Sequence, residues 1–108
     1  MTRYSQQRRA LSPVKSELVE IFEAVSLASG LTIAAIRGRR RTRAAVWARF
    51  AVVVLAQRRF PWWSQSQLAD IIGRSDHGTA ANALARAAEL AAGDADFAAL
   101  LSRAAGHR

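Results

Sequence analysis

Eight arginines share a stretch that holds no acidic residue. Arg37, Arg39, Arg40, Arg41, Arg43, Arg49, Arg58 and Arg59 all lie between Glu23 and Asp70. Their number equals the net charge of the whole chain, +8. A guanidinium offers a rigid fork of N–H donors that matches phosphate oxygens, so an unbalanced run of them points to a polyanionic partner. A second set of polar residues follows in RSDHGTAANALARAAEL, beginning at Arg74. Asp76, His77, Gly78 and Thr79 are short or compact groups at the start of a helical pattern. Asp76 can accept from a cytosine amino group, and His77 can address an acceptor edge in a major groove. Ser75 or Asp76 can equally serve as an ordinary helix cap.

Other chemistries find little material. The chain has no cysteine, which excludes disulfides, a thiolate nucleophile and any cysteine-based zinc or iron–sulfur site. Its two histidines, His77 and His107, are thirty residues apart. No pair of carboxylates, nucleophile with a base, or Gly-rich phosphate loop of the Walker type stands out, so no enzymatic activity, metal or cofactor is expected. No apolar run approaches the ~18 residues of a membrane span, and the first residues lack the long apolar stretch of a secretion signal. The expectation is a small cytoplasmic, nucleoid-associated protein. One bias is discounted: 24 alanines, and 15 arginines against the single Lys15, reflect GC-rich coding as much as chemistry. The distribution of charge is therefore the better signal than its total.

The elements that must position these groups read as helices throughout. At 108 residues with 51% hydrophobic composition, the chain suits one compact domain. Residues 1–11 are polar, basic and aperiodic, and are expected to form a flexible arm, with the domain over 12–108. Ser12-Pro13 reads as a helix start, followed by Val14, Leu18, Ile21, Phe22 and Val25 at helical spacing and a stop at Gly30. LTIAAIRG makes a short helix with Thr32 as cap and Gly38 at its end. Residues 42–59 contain Val52, Val53 and Val54, which favour strands. Eighteen residues without Gly or Pro argue instead for a central helix, apolar nearly all round, broken by Phe60-Pro61. Ser64 with Gln67 forms a capping box for a helix through Leu68, Ile71 and Ile72 to Gly73. After a turn at 74–78, Thr79 to Ala92 is helical and Gly93 closes it. Asp94 or Asp96 caps a last helix through Phe97, Leu100 and Leu101. The expected fold is all-α, a small bundle of about six helices.

Within it, SQSQLADIIG and GTAANALARAAEL flank a tight turn, the pattern of a helix-turn-helix whose second helix enters a major groove. RSDHGTAANALARAAEL is similar to the signature of the C-terminal DNA-binding domain of the bacterial replication initiator DnaA, where a Gly-Arg-Asp-His-Thr-Thr motif opens the recognition helix. Upstream, RRTRAAVWARFAVVVLA resembles that domain's basic loop and long central helix. The two blocks keep the family's order and separation to within about one inserted residue near FPWW, and the similarity covers roughly residues 12 to 105.

The resemblance implies a Trp-repressor-like helix-turn-helix binding double-stranded DNA as a monomer, with roles as follows. Arg41 falls where the family inserts an arginine into the minor groove, and Arg43 and Arg49 fall at basic positions beside the DNA backbone. Asp76 and His77 stand at base-reading positions, Thr79 at a contacting threonine, and Arg86 at a phosphate-contacting position. Arg37, Arg39, Arg40, Arg58, Gln65, Arg74, Ser75, Gly78 and Asn82 complete the candidate interface. Two departures stand out: Gly78 replaces a base-reading threonine, and Trp47 replaces an arginine. The implied role is regulation of replication or transcription at initiator-like boxes, alone or within a larger assembly. Two other readings remain open from the residues. One is a nonspecific RNA or nucleoid binder using the same arginines. The other is a protein adaptor using Trp62 and Trp63, residues that also suit simple packing around the loop.

Overall fold

The computed structural model describes residues 3–39, 41–72 and 77–106, with side chains from 16 onward except those of 77–79. Among them are six helices and no strand: α1 (Arg3–Ser29), α2 (Ile33–Arg37), α3 (Arg43–Arg59), α4 (Gln65–Ile71), α5 (His77–Gly93) and α6 (Ala95–Ala105).

α1 runs back through Ser12 and Pro13 to Arg3, so the backbone of the expected arm is helical from Arg3. Residues 3–11 contain no Gly or Pro and are built largely of Gln, Arg, Ala and Leu, which are good helix formers. They lack an apolar period, so periodicity could not extend the helix across them. Pro13 removes one helical hydrogen bond without marking a start. The other end is as expected: Gly30 takes φ +78 and donates its N–H to Ser26 O at 2.9 Å, the left-handed stop that favours glycine.

The remaining helix starts follow their sequence signals. Thr32 Oγ1 accepts from Ala35 N (3.1 Å) to open α2, and Thr42 Oγ1 accepts from Ala45 N (3.2 Å) to open α3. Ser64 and Gln67 close a reciprocal capping box at α4, with bonds of 3.2 and 2.8 Å. Asp94, not Asp96, caps α6, its Oδ1 accepting from Asp96 N and Phe97 N. α5 begins at His77, two residues before the expected start at Thr79, while Gly73 and the turn at 74–76 lie outside the described residues.

α3 is the axle of the bundle and packs against all five other helices. Ala45, Ala48, Ala51, Val52, Val53 and Ala56 are buried along it. Small side chains let neighbours approach closely on every side, and burial on all sides overrides the strand preference of the valines. Phe22 and Val25 of α1, Ile36 of α2, Phe60, Leu68 and Ile72 around α4, and Phe97, Leu100 and Leu101 of α6 fill the core around this axle. α4 packs on α5, giving the paired helices that the helix-turn-helix pattern requires.

Candidate nucleic-acid interface

The α2–α3 corner holds arginines outward between two helix ends. Gly38 ends α2 with its N–H on Ala35 O; a Cβ there would sit 3.2 Å from Ala34 O, so the close turn suits glycine. Four residues later Thr42 starts α3. Arg37, Arg39, Arg41 and Arg43 sit on this short connection and are all exposed, while Arg40 lies outside the described residues. The two flanking guanidiniums rest on aromatic rings: Arg37 over Phe22 at 5.7 Å and Arg43 over Trp47 at 5.5 Å. Cation–π contact of this kind orients a guanidinium while leaving its N–H donors for another group. Trp47 is held in turn by an edge contact with Phe97, ring centroids 5.5 Å apart. Where the resembled family has an arginine, this chain thus has the platform for one.

The corner's electrostatics are one-sided. α3 has no acidic residue in its first turn, and Arg41 and Arg43 flank its N-cap. Cations there face the positive end of the helix dipole, so the fold bears an unfavourable interaction that a bound anion would relieve. Neither ion pair among the described residues, Arg59–Glu17 and Arg86–Glu89, involves these four arginines.

Three of the eight clustered arginines stand differently from their sequence expectation. Arg49 is only 6% exposed, and its Nε donates to Ile36 O at 2.8 Å. Ile36 O is one of the last carbonyls of α2, left without an intrahelical partner by the helix end. Arg49 therefore ties α3 to the end of α2 rather than standing outward with the loop arginines. A signal was present in the sequence, because position 49 falls in the same helical stripe as Ala45, Val52, Val53 and Ala56.

Arg59 is not uncompensated: it pairs with Glu17 of α1 at 2.8 Å, a partner 42 residues away. The hydrogen bond to Glu17, and then the charge of that carboxylate, raise the Arg59 pKa above its ordinary value. Arg58 is exposed but sits fifteen residues along α3 from Arg43, about 22 Å at 1.5 Å per residue. There it lines a groove of about 650 Å³ between α1, α3 and α6, together with Glu17, Glu20 and Glu23. The fold therefore separates Arg58 from the basic corner and sets it beside acids that are distant in sequence.

The second set is described in part. α5 places Asn82 and Arg86 one turn apart on an exposed side, with Arg86 Nη1 bonded to Glu89 at 3.0 Å. Gln65, also exposed, is the first residue of α4. His77, Gly78 and Thr79 form the first turn of α5 in backbone, and their side chains lie outside the described residues, as do Arg74, Ser75 and Asp76 altogether. The two tryptophans of the α3–α4 loop differ from each other. Trp63 is stacked on buried Phe60 at 4.5 Å, whereas Trp62 is exposed.

Among the described residues, no group of three His, Cys, Asp or Glu side chains is placed to hold a metal ion, and no helix is long and apolar enough to cross a membrane. No protein-family model, curated protein or solved structure matches the chain.

Proposed function

We propose that this chain binds double-stranded DNA with sequence preference, as a relative of the initiator's DNA-binding domain that regulates replication or transcription. The observation that carries the reading is the α2–α3 corner. Four exposed arginines, two of them seated on aromatic rings, crowd a short connection and a helix start that have no acid to answer them. In this reading Arg41 enters a minor groove, while Arg37, Arg39 and Arg43 hold phosphates on either side. The first turn of α5, with Asp76 just before it and His77 and Thr79 within it, meets base edges in the adjacent major groove. Asn82 and Arg86 follow that groove's rim. Arg49 and Arg58 leave the contact set, Arg49 because it is buried and Arg58 because it stands apart. Phosphate contacts supply most of the affinity and the few base contacts supply the preference.

Selection of bound sequences from a random duplex library tests the proposal directly. A recovered motif related to an initiator box supports it in full. Binding without any motif reduces it to nonspecific attachment, and failure to retain duplex at low salt overturns it.

A further inference from the structure

The loop between α3 and α4 presents one aromatic ring to solvent in a way that needs a purpose. Phe60, at the end of α3, is fully buried and donates its N–H to Ala56 O at 2.7 Å. Trp63 N–H donates back to Phe60 O at 3.0 Å, closing a four-residue turn with Pro61 at its second position, where the fixed φ of proline fits. Trp63 stacks on Phe60, and the capping box of Ser64 and Gln67 fixes the far side of the loop. Trp62 is thus the outermost residue of a turn pinned at both ends. Its ring meets Phe60 only edge-on, centroids 5.9 Å apart, and it remains 70% exposed.

The surroundings indicate what the ring would meet. Among the described residues the other exposed large hydrophobics are Val19 and Leu27, both on α1. The exposed neighbours of Trp62 along the chain are Gln57, Arg58, Pro61, Ser64, Gln65, Ser66 and Gln67, with no acid among them. A surface for a folded protein partner would be a contiguous apolar patch of several hundred Å². A solitary, pre-set indole among hydrogen-bonding side chains matches instead the kind of aromatic platform on which an unpaired base stacks. A base inside a duplex has both faces covered by its neighbours, so an unpaired base is the better fit to the ring.

We infer that Trp62 is a stacking platform for an unpaired nucleobase. The protein then prefers a duplex that continues into single strand over a blunt duplex of the same sequence. This preference rests on the duplex-binding reading; stacking of an unpaired base on Trp62 does not.

Two measurements on the full chain test it. The first is quenching of tryptophan fluorescence by a thymidine oligonucleotide, in wild type, Trp62→Phe and Trp62→Ala. Trp47 and Trp63, half-buried against Phe97 and Phe60, provide the common background. The second is affinity for a blunt duplex, the same duplex with a short thymidine overhang, and that duplex with an abasic overhang. The overhang is expected to tighten binding about tenfold, from one base–aromatic stack. The gain should vanish with the abasic overhang and in Trp62→Ala, and survive in part in Trp62→Phe. Wild-type fluorescence should fall by more than that of Trp62→Ala. Equal affinity for blunt and overhanging duplexes together with unquenched Trp62 overturns the inference and leaves the ring to a protein partner. So does an overhang gain that persists in Trp62→Ala. If Trp62 is quenched by the oligonucleotide while blunt duplex is not bound, the platform stands and the duplex reading alone fails.

Discussion

Arg49 separates two accounts of the basic corner that predict opposite results. By family resemblance it is a phosphate contact; by its burial and its bond to Ile36 O it is a brace that sets where Arg39 and Arg41 stand. Arg49→Gln removes a charged donor from a buried carbonyl, a loss worth roughly 1.5–3 kcal/mol. For a domain of this size that corresponds to a fall in Tm on the order of 10 °C, measurable by circular dichroism. Arg49→Lys keeps the charge and one possible donor and should lose about half as much, so it serves where the glutamine variant is too unstable. The decisive measurement is a double-mutant cycle with Arg41→Ala, read as affinity for the preferred duplex. Arg41→Ala alone should cost about 1–3 kcal/mol, the value of a base contact. If Arg49 acts through the loop, Arg41→Ala should cost less than about 0.5 kcal/mol in the Arg49→Gln background, because the Arg41 guanidinium is no longer held at the groove. If Arg49 touches a phosphate directly, the two losses should add. In that case Arg49→Gln should also lower the salt slope by about 0.9 and no more. Additivity with that single-contact slope change would refute the brace.

Four further expectations concern the same corner and its neighbours. With Arg37, Arg39, Arg43 and Arg86 on about four phosphates, log affinity for duplex should fall against log salt with a slope of about −3.6, and a salt-insensitive affinity would sink the nucleic-acid reading. His77→Ala should cost about 1–3 kcal/mol on the preferred duplex and much less on random duplex, whereas Gly78→Thr should raise the preference for an initiator-type box about tenfold; competition binding at one salt concentration measures both, and unchanged ratios in folded variants would mean that the first turn of α5 does not face the bases. Thr42→Ala removes the bond to Ala45 N and should cost about 1 kcal/mol, lowering Tm by roughly 4–8 °C, while Thr42→Ser should restore most of it; an alanine variant as stable as wild type would show that the cap is not what fixes the corner.

The helices were legible because their signals are local. Thr32, Thr42, Ser64 and Asp94 each cap a helix within three residues of their own position, and Gly30 and Gly38 end helices through their own backbone. A continuous apolar character over 42–59 has one stable outcome in so small a chain, a helix covered on all sides, and α3 is that helix. The helical backbone of residues 3–11 was not legible for the complementary reason: they can form a helix, but without an apolar stripe they give periodicity nothing to detect.

Which arginines can meet a ligand was a different kind of question. The sequence by itself established an all-α chain, an excess of eight positive charges and their confinement between Glu23 and Asp70. It treated those charges as one group, because adjacency along the chain is the only distance a sequence contains. The tertiary structure divided them. Arg59 met Glu17 across 42 residues, Arg58 turned to a groove lined by Glu17, Glu20 and Glu23, and Arg49 went inward to the end of α2. Arg37, Arg39, Arg41 and Arg43 remained outward at one corner, Arg37 resting on Phe22 of α1 and Arg43 on Trp47 one turn along α3. Charge pairing and burial depend on separations of a few ångströms between segments that packing alone brings together, and that is why only the folded chain could decide them.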